Sequence, residues 1–154
     1  MAAHAARKGA GSADRVLYHA HPSALVALSA LLPVDARVLT RTLWMALTES
    51  ALAFPGGVGF VEWMAPGSLE LARATACALE RYQACVWQLH GIFAAAPDCD
   101  SVFGLVEAVE KAADVHLRAC SAARAGKTPR HLSDAELRLL ARVHGLDLNE
   151  GFLE

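Results

Sequence analysis

The stretch SLELARATACALERYQACVWQLHGIFAA, residues 68–95, carries the longest continuous apolar pattern in the chain. Its apolar and small side chains recur every three or four residues, at Leu71, Thr75, Ala78, Tyr82, Cys85, Leu89 and Phe93. This spacing places them on one face of an α-helix. Ser68 is a favoured N-cap residue, and Pro97 stops a helix. We therefore predict one long helix over residues 68–95, at the centre of the fold.

Helical patterns also flank this stretch on both sides. Pro22 suits the first position of a helix, and Asp35 can cap the next one. Asp100 can cap a further helix, and Ser133 with Glu136 forms a capping box before the last one. No run of alternating apolar and polar residues indicates a sheet. The expected fold class is therefore all-α, a compact bundle of five to six helices with a long central helix.

Breaks in these patterns suggest the domain organisation. Residues 1–16 are rich in Gly, Ala and Ser, and we expect them to form a flexible tail. Residues 17–146 are expected to form a single helical domain, and residues 147–154 an acidic C-terminal tail. A Pro-Gly-Gly run at 55–57 interrupts the domain. The short apolar segment at 60–64 is expected to form one or two helical turns.

Composition excludes several classes of function. The 154 residues are 55% hydrophobic and 19% charged, with a formal net charge of −2. No basic patch stands out, so a nucleic-acid partner is not expected. No stretch of about 20 uninterrupted apolar residues is present, so no membrane span is expected. We also find no export segment, and we expect a cytoplasmic protein, in the host cytoplasm if it is viral.

Candidate nucleotide and catalytic sites fail on their context. The Gly-Lys-Thr run at 126–128 resembles the end of a P-loop, but the glycine required five residues earlier is Ser121. Pro129 then removes a backbone donor where the phosphate-binding helix should begin.

Cys99 lies between two carboxylates, which raise the pKa of a thiol. We therefore predict that the protein has no catalytic residues and is not an enzyme.

Histidine and cysteine pairs raise the question of a metal ion. His116 and Cys120 are four residues apart on a helical pattern, so both can reach one ion. His19 and His21 are two apart in an expected loop, and His90 lies on an apolar helical pattern where it could contact a haem. A structural zinc site needs four convergent ligands, which no motif here supplies. We expect no metal and no cofactor, with a small helical metal- or cofactor-binding protein as the alternative hypothesis.

Aromatic residues beside the Gly-rich break indicate a surface for a protein partner. Trp63 lies on a short segment between two breaks, and Phe54 and Phe60 flank the glycines. Large aromatic side chains next to a loop suit a groove that receives a helix or a peptide. We predict that Trp63, Phe60, Phe54 and Met64 contact the partner.

The order of elements resembles the Bcl-like helical-bundle family of poxvirus immune-evasion proteins. The similarity rests on an amphipathic pair at 39–47 and 61–64, a central helix starting at 101–104, and a closing helix after Ser133, within residues 20–145. It implies a protein without enzymatic activity that binds host signalling or death-pathway proteins.

A second, local similarity involves residues 78–85 together with Leu89 and Pro97. This segment is similar to part of a herpesvirus tegument family used in virion envelopment, and it implies an assembly subunit that associates with copies of itself. The expected function is therefore that of a non-enzymatic protein-interaction module, a viral modulator of host innate-immune or cell-death signalling. A homodimer is one expected form of the protein. A self-associating tegument-type subunit is a further alternative.

Overall fold

The computed structural model describes residues 2–123 and 128–154, and within them it shows a mixed α/β fold. The helices are α1 (Ala2–Gly9), α2 (Ser23–Ser29), α3 (Ala36–Ala46), α4 (Thr48–Ala53), α5 (Leu69–Leu79), α6 (Cys99–Ala123) and α7 (Asp134–His144). A 3₁₀ helix follows at Glu150–Phe152. The strands are β1 (Val16–Ala20), β2 (Gly59–Val61), β3 (Ala84–Trp87) and β4 (Gly91–Ala96). The prediction of an all-α bundle is therefore wrong.

The four strands form one mixed sheet in the order β1-β4-β3-β2. β1 and β3 both pair antiparallel with β4, and β2 pairs parallel with β3. The register of β1 on β4 sets His19 opposite Phe93. α6 contacts β1 and β4, whereas α5 contacts β2 and β3. The sheet therefore lies between helices.

Residues 68–95 do not form the single long helix that their spacing predicts. α5 ends at Leu79, and the rest of the stretch forms β3, a turn and β4. Alternate residues of β3 enter two different hydrophobic clusters: Ala84 and Val86 pack with α6 residues, and Cys85 packs with Leu79 of α5. A strand buried on both faces has an unbroken run of apolar residues, which also matches a helical spacing.

The short segment at 60–64 was expected to be helical, and this prediction is also wrong. Gly59–Val61 forms β2, which pairs with β3 through the register Phe60 to Val86. β2 has only three residues, so its sequence is too short for the periodicity to distinguish a strand from a helix. Pairing with a distant strand decides its conformation.

Predictions that rest on local capping chemistry are confirmed at α3, α5 and α7 but not at α6, where Asp98 and not Asp100 accepts a hydrogen bond from the first turn. The Asp35 carboxylate accepts hydrogen bonds from the first turn of α3, and the Ser68 hydroxyl accepts one from the first turn of α5. Ser133 and Glu136 form the predicted capping box at α7. Gly145 ends α7 with a φ of 63°, in the left-handed region that glycine adopts without strain.

The segments predicted to be tails contain regular elements. α1 packs against α5, and its Arg7 side chain is buried. At the other end of the chain, the Phe152 ring packs 5.9 Å from the ring of Trp44 in the main core. Of the helices in the described part of the chain, none is both long and apolar enough to cross a membrane.

Candidate metal centre

Three histidines that are distant in the sequence come together beside the β3–β4 turn. His19 lies in β1, His21 follows that strand, and His90 precedes β4. One ring nitrogen from each histidine lies within 4.8 Å of those of the other two. Within residues 2–123 and 128–154, no other set of three His, Cys, Asp or Glu side chains converges in this way. This cluster is the candidate site.

The extended conformation of β1 brings two of these side chains to the same side. Residues two apart in a strand point to the same face, so His19 and His21 face one region of space. Their rings are 4.6 Å apart, centre to centre, in an edge-to-face arrangement. Pro22 caps α2 immediately afterwards, which ends the extended segment just beyond His21.

The third histidine is presented by the turn that joins β3 to β4. The His90 N–H donates to the Trp87 carbonyl oxygen over 3.0 Å, which closes the turn. Gly91 comes next, and a Cβ at this position would collide with the carbonyl oxygen of Ala20 in β1. Because Gly91 has no side chain, β1 can approach closely enough for all three histidines to meet.

The hydrogen bond made by His19 determines which of its ring nitrogens is free. His19 Nδ1 lies 2.8 Å from the carbonyl oxygen of Ile92. A carbonyl can only accept, so Nδ1 carries the proton in this contact and Nε2 keeps its lone pair. Histidines that bind metals commonly use such a bond to fix the tautomer and the orientation of the ring.

Aromatic side chains form one wall of the cluster. The Trp87 ring lies 4.6 Å from the ring of His19 and 5.0 Å from that of His90, centre to centre. Its Nε1–H donates to the Thr75 hydroxyl over 2.9 Å, and this hydroxyl donates to the Leu71 carbonyl oxygen over 2.6 Å. The Phe93 ring stacks against the indole, with the ring centres 5.5 Å apart, and lies 6.1 Å from the ring of His19. Trp87 is therefore held in one orientation against the histidines.

Protonation of His90 is disfavoured by its surroundings. Partial burial lowers its pKa below the usual 6.5, and the neighbouring His19 and His21 lower it further. The neutral imidazole, which can bind a metal, therefore persists at neutral pH.

The donor set fits a divalent cation of borderline softness, such as zinc. Three imidazoles are a known set of protein ligands for catalytic zinc, which keeps a fourth position open for water or substrate. His21 is exposed and His90 half-buried, so the cluster is accessible from solvent. The residues that would hold the ion are His19, His21 and His90.

Comparison with known proteins shows the family to which the chain belongs. Residues 1–117 match the family described as Class II Aldolase and Adducin N-terminal domain. The chain belongs to this family. The matched region contains the whole three-histidine cluster.

Two proteins that are similar to this chain carry the name rhamnulose-1-phosphate aldolase. The protein from Enterococcus faecalis is 39% identical over 98% of the chain, and the one from Escherichia coli O157:H7 is 37% identical over 90%. The matches cover 53% and 50% of those proteins, so the chain spans about half of their length.

Two solved aldolase structures share the fold of this chain. A sugar-phosphate aldolase from Thermotoga maritima superposes with a TM-score of 0.70 at 31% identity, over 83% of this chain and 53% of that one. An L-fuculose 1-phosphate aldolase superposes with a TM-score of 0.64 at 25% identity, over 94% of this chain and 62% of that one.

These findings overturn the viral interpretation of the sequence. The family match and the aldolase relatives replace the resemblances to the poxvirus Bcl-like family and to the herpesvirus tegument family, which are wrong. The prediction of a non-enzymatic module that modulates host signalling is wrong for the same reason, and these findings give no support to a host signalling partner. Both resemblances depend on segments predicted to be helical that contain strand residues. Val61 belongs to β2, and Ala84 and Cys85 belong to β3.

The four residues predicted to bind a partner lie in different environments. Phe54 is buried in the main core, and Phe60 and Met64 are half-buried. The Trp63 side chain is 56% exposed. The role of these four residues in binding a partner stays a prediction. Trp63 is the best placed of them for such a contact, because its side chain is accessible.

The other candidate residues do not form a comparable cluster. Cys120 Sγ lies 3.4 Å from His116 Nε2, as their spacing predicted, and the His131 ring lies 6.0 Å from that of His116. Of the P-loop-like run, residues 126 and 127 lie outside the described part of the chain. Cys99 is exposed at the start of α6.

The sequence contains one sign of the site. His19 and His21 form an H-x-H pair, and such a pair on a strand projects two ligands to one side. The predictions of a loop at His19 and of a helix at His90 are wrong, because His19 lies in β1 and His90 lies in the turn before β4. With the correct strands, all three would have been expected near the sheet, although their convergence depends on the pairing of β1 with β4.

Proposed function

We propose that this protein is a sugar-phosphate aldolase that binds a divalent cation through His19, His21 and His90. The observation that carries the proposal is the convergence of three imidazole nitrogens within 4.8 Å, in a chain 39% identical to a rhamnulose-1-phosphate aldolase. The proposed substrate class is a 1-phosphorylated ketose, by analogy with the names of the relatives.

Aldol cleavage of such a ketose breaks the bond between the carbon next to the carbonyl and the carbon that bears the β-hydroxyl group. A bound divalent cation would supply Lewis-acid polarisation of a substrate oxygen. The three histidines provide imidazole nitrogen donors, and the exposed His21 keeps the cluster accessible from solvent. The half-buried Trp87 and Phe93 rings form an apolar wall beside the histidines.

Metal content and cleavage activity test this proposal together. We expect the full chain to bind about one equivalent of zinc or a similar ion, as three convergent imidazoles would. His90→Ala should lose both the ion and any cleavage of rhamnulose 1-phosphate or fuculose 1-phosphate. His144→Ala is the matched control, since His144 is exposed in α7 and away from the cluster. Equal metal content in the His90→Ala variant and the parent protein would contradict the proposal.

We further propose that the protein associates with copies of itself in the cytoplasm. The exposed Trp63 side chain offers an apolar contact, and the four cysteines are free thiols, as in reducing compartments. The mass of the protein in solution, compared with that of Trp63→Ala, tests self-association. A monomeric mass for the parent protein at all concentrations would exclude it.

A further inference from the structure

The seven-residue helix α2 connects the two parts of the histidine cluster. It begins two residues after His21 and ends at Ser29. The Ser29 hydroxyl accepts a hydrogen bond from the N–H of Leu89 over 2.9 Å. Leu89 directly precedes His90 in the chain, so the contact reaches the backbone that presents the third histidine.

The backbone of Leu89 is strained. Its φ is 59°, in the left-handed region, where a side chain with a Cβ is disfavoured. Leu89 is the third residue of the turn closed by Trp87 and His90, and glycine or asparagine is usual at such a position when φ is positive. A strained residue of this kind persists only when its surroundings hold it in place.

The Ser29 hydroxyl donates one hydrogen bond and accepts another. Its proton is donated to the Val26 carbonyl oxygen over 2.7 Å, which leaves the oxygen to accept from Leu89. Ser29 is completely buried, so water does not compete for either bond. Loss of the hydroxyl would leave the Leu89 N–H without this partner.

The other end of α2 is fixed to α6. The Glu110 carboxylate accepts hydrogen bonds from the N–H groups of Ala24 over 3.0 Å and of Leu25 over 2.8 Å. These groups belong to the first turn of α2, where no helical partner exists for them. Glu110 therefore anchors the helix from which Ser29 reaches the turn, so a shift of α2 does not relieve the strain at Leu89.

We propose that Ser29 is a positioning residue for His90, holding the strained turn so that the third imidazole meets the other two. The inference rests on the proposed metal site, and it goes further by assigning a role to a residue that does not contact the ion. Residues that orient metal ligands typically contribute about 10- to 100-fold in metal affinity.

The test compares two buried serines in the full chain. Zinc affinity is measured by competition with a chromophoric chelator, and the visible spectrum of the cobalt(II)-loaded protein reports the ligand geometry. We expect Ser29→Ala to weaken zinc binding about tenfold or more and to change the cobalt spectrum. Ser50→Ala should change neither, because Ser50 is equally buried and its hydroxyl has no hydrogen-bond partner.

A second pair of variants keeps the test informative if Ser29→Ala does not fold. Ser29→Thr retains the hydroxyl and Ser29→Val replaces it with a methyl group of similar size, so both crowd the helix equally. Zinc affinity at least about tenfold higher in the threonine variant supports the role of the hydroxyl. Equal affinities in this pair, or unchanged zinc binding in Ser29→Ala, would overturn the inference while leaving the metal site intact. A parent protein that binds no ion would overturn the proposed function and this inference together.

Discussion

His19 Nδ1 donates a hydrogen bond to the main-chain carbonyl of Ile92, 2.8 Å away on the neighbouring strand. The two residues are close because β1 pairs with β4, with His19 opposite Phe93 and Ala20 opposite Ile92. The bond turns Nε2 of His19 away from the backbone and leaves it available as a ligand. The geometry of the cluster therefore depends on how closely β1 lies against β4.

A substitution at Gly91 tests whether the histidine cluster requires the close approach of β1 to β4. A Cβ at residue 91 would collide with the Ala20 carbonyl oxygen and lie 3.0 Å from Cδ2 of His21. We expect Gly91→Ala to separate the strands at this point, to destabilise the fold by about 1–3 kcal/mol, and to weaken zinc binding. Chemical denaturation and chelator competition measure the two effects.

Gly104→Ala is the control for this substitution. Gly104 is exposed in α6, and a Cβ there would have nothing within 4 Å. Alanine should stabilise the helix by about 0.5–1 kcal/mol without changing metal affinity. If Gly91→Ala behaved like Gly104→Ala, the close approach of β1 would not be required for the site.

Thr75 is predicted to orient Trp87 through its hydroxyl. Thr75→Val keeps the shape of the side chain but removes the acceptor for Trp87 Nε1–H. We expect a loss of about 1–3 kcal/mol in the free energy of unfolding, because a largely buried donor loses its partner. The Trp87 ring should also reorient against His19, which a change in tryptophan fluorescence on zinc addition would report.

Thr42→Val provides the comparison. The Thr42 hydroxyl donates to Val38 within its own helix and holds no distant group. This variant should retain the stability and the fluorescence response of the parent protein. A response that is the same in both variants would argue against a role for Thr75 in orienting the indole.

Capping residues were predictable from the sequence because each acts on its own helix. Asp35 and Ser133 are confirmed as caps, and both require only a few neighbouring residues. β3 and β4 were not predictable in the same way, because residues such as Cys85 and Ile92 are buried by distant helices and strands. The histidine cluster depends on that same pairing, so its ligands were visible in the sequence while their convergence was not.

His116 is predicted to make the stability of the fold depend on pH. Burial lowers the pKa of His116 below its usual 6.5, and His131 nearby lowers it further. As the pH falls below about 6.5, the unfolded chain takes up a proton at this residue before the folded chain does. The free energy of unfolding should therefore decrease as the pH falls from about 6.5 towards the lowered pKa. Above about pH 6.5 it should keep its full value.

His116→Gln should flatten this dependence, since glutamine does not titrate. Denaturation between pH 5 and pH 7.5 gives the slopes, and His144→Gln is the control at an exposed position. Chelator should be present throughout, so that metal binding by His19, His21 and His90 does not contribute. Identical slopes for His116→Gln and the parent protein would mean that His116 does not titrate differently in the folded state.

Arg7 is predicted to hold α1 on the rest of the fold. Its Nε donates to Asp14 over 2.7 Å, and its Nη1 donates to the carbonyl oxygens of Leu79 and Tyr82. The side chains of Arg7 and Asp14 are only 10% and 3% exposed. Arg7→Met should destabilise the protein by about 3 kcal/mol, because the Asp14 carboxylate would remain buried without its partner.

Removal of both charges separates the cost of the unpaired carboxylate from the value of the ion pair. The double variant Arg7→Met/Asp14→Leu should recover a large part of the loss, since apolar side chains can replace a buried pair at little cost. Arg118→Met is the surface control, because the pair between Arg118 and Asp114 lies in solvent and should contribute under about 1 kcal/mol. Denaturant titration of the four proteins gives the values. A double variant no more stable than Arg7→Met would show that the carbonyl contacts to Leu79 and Tyr82, and not the charge on Asp14, account for the effect of Arg7.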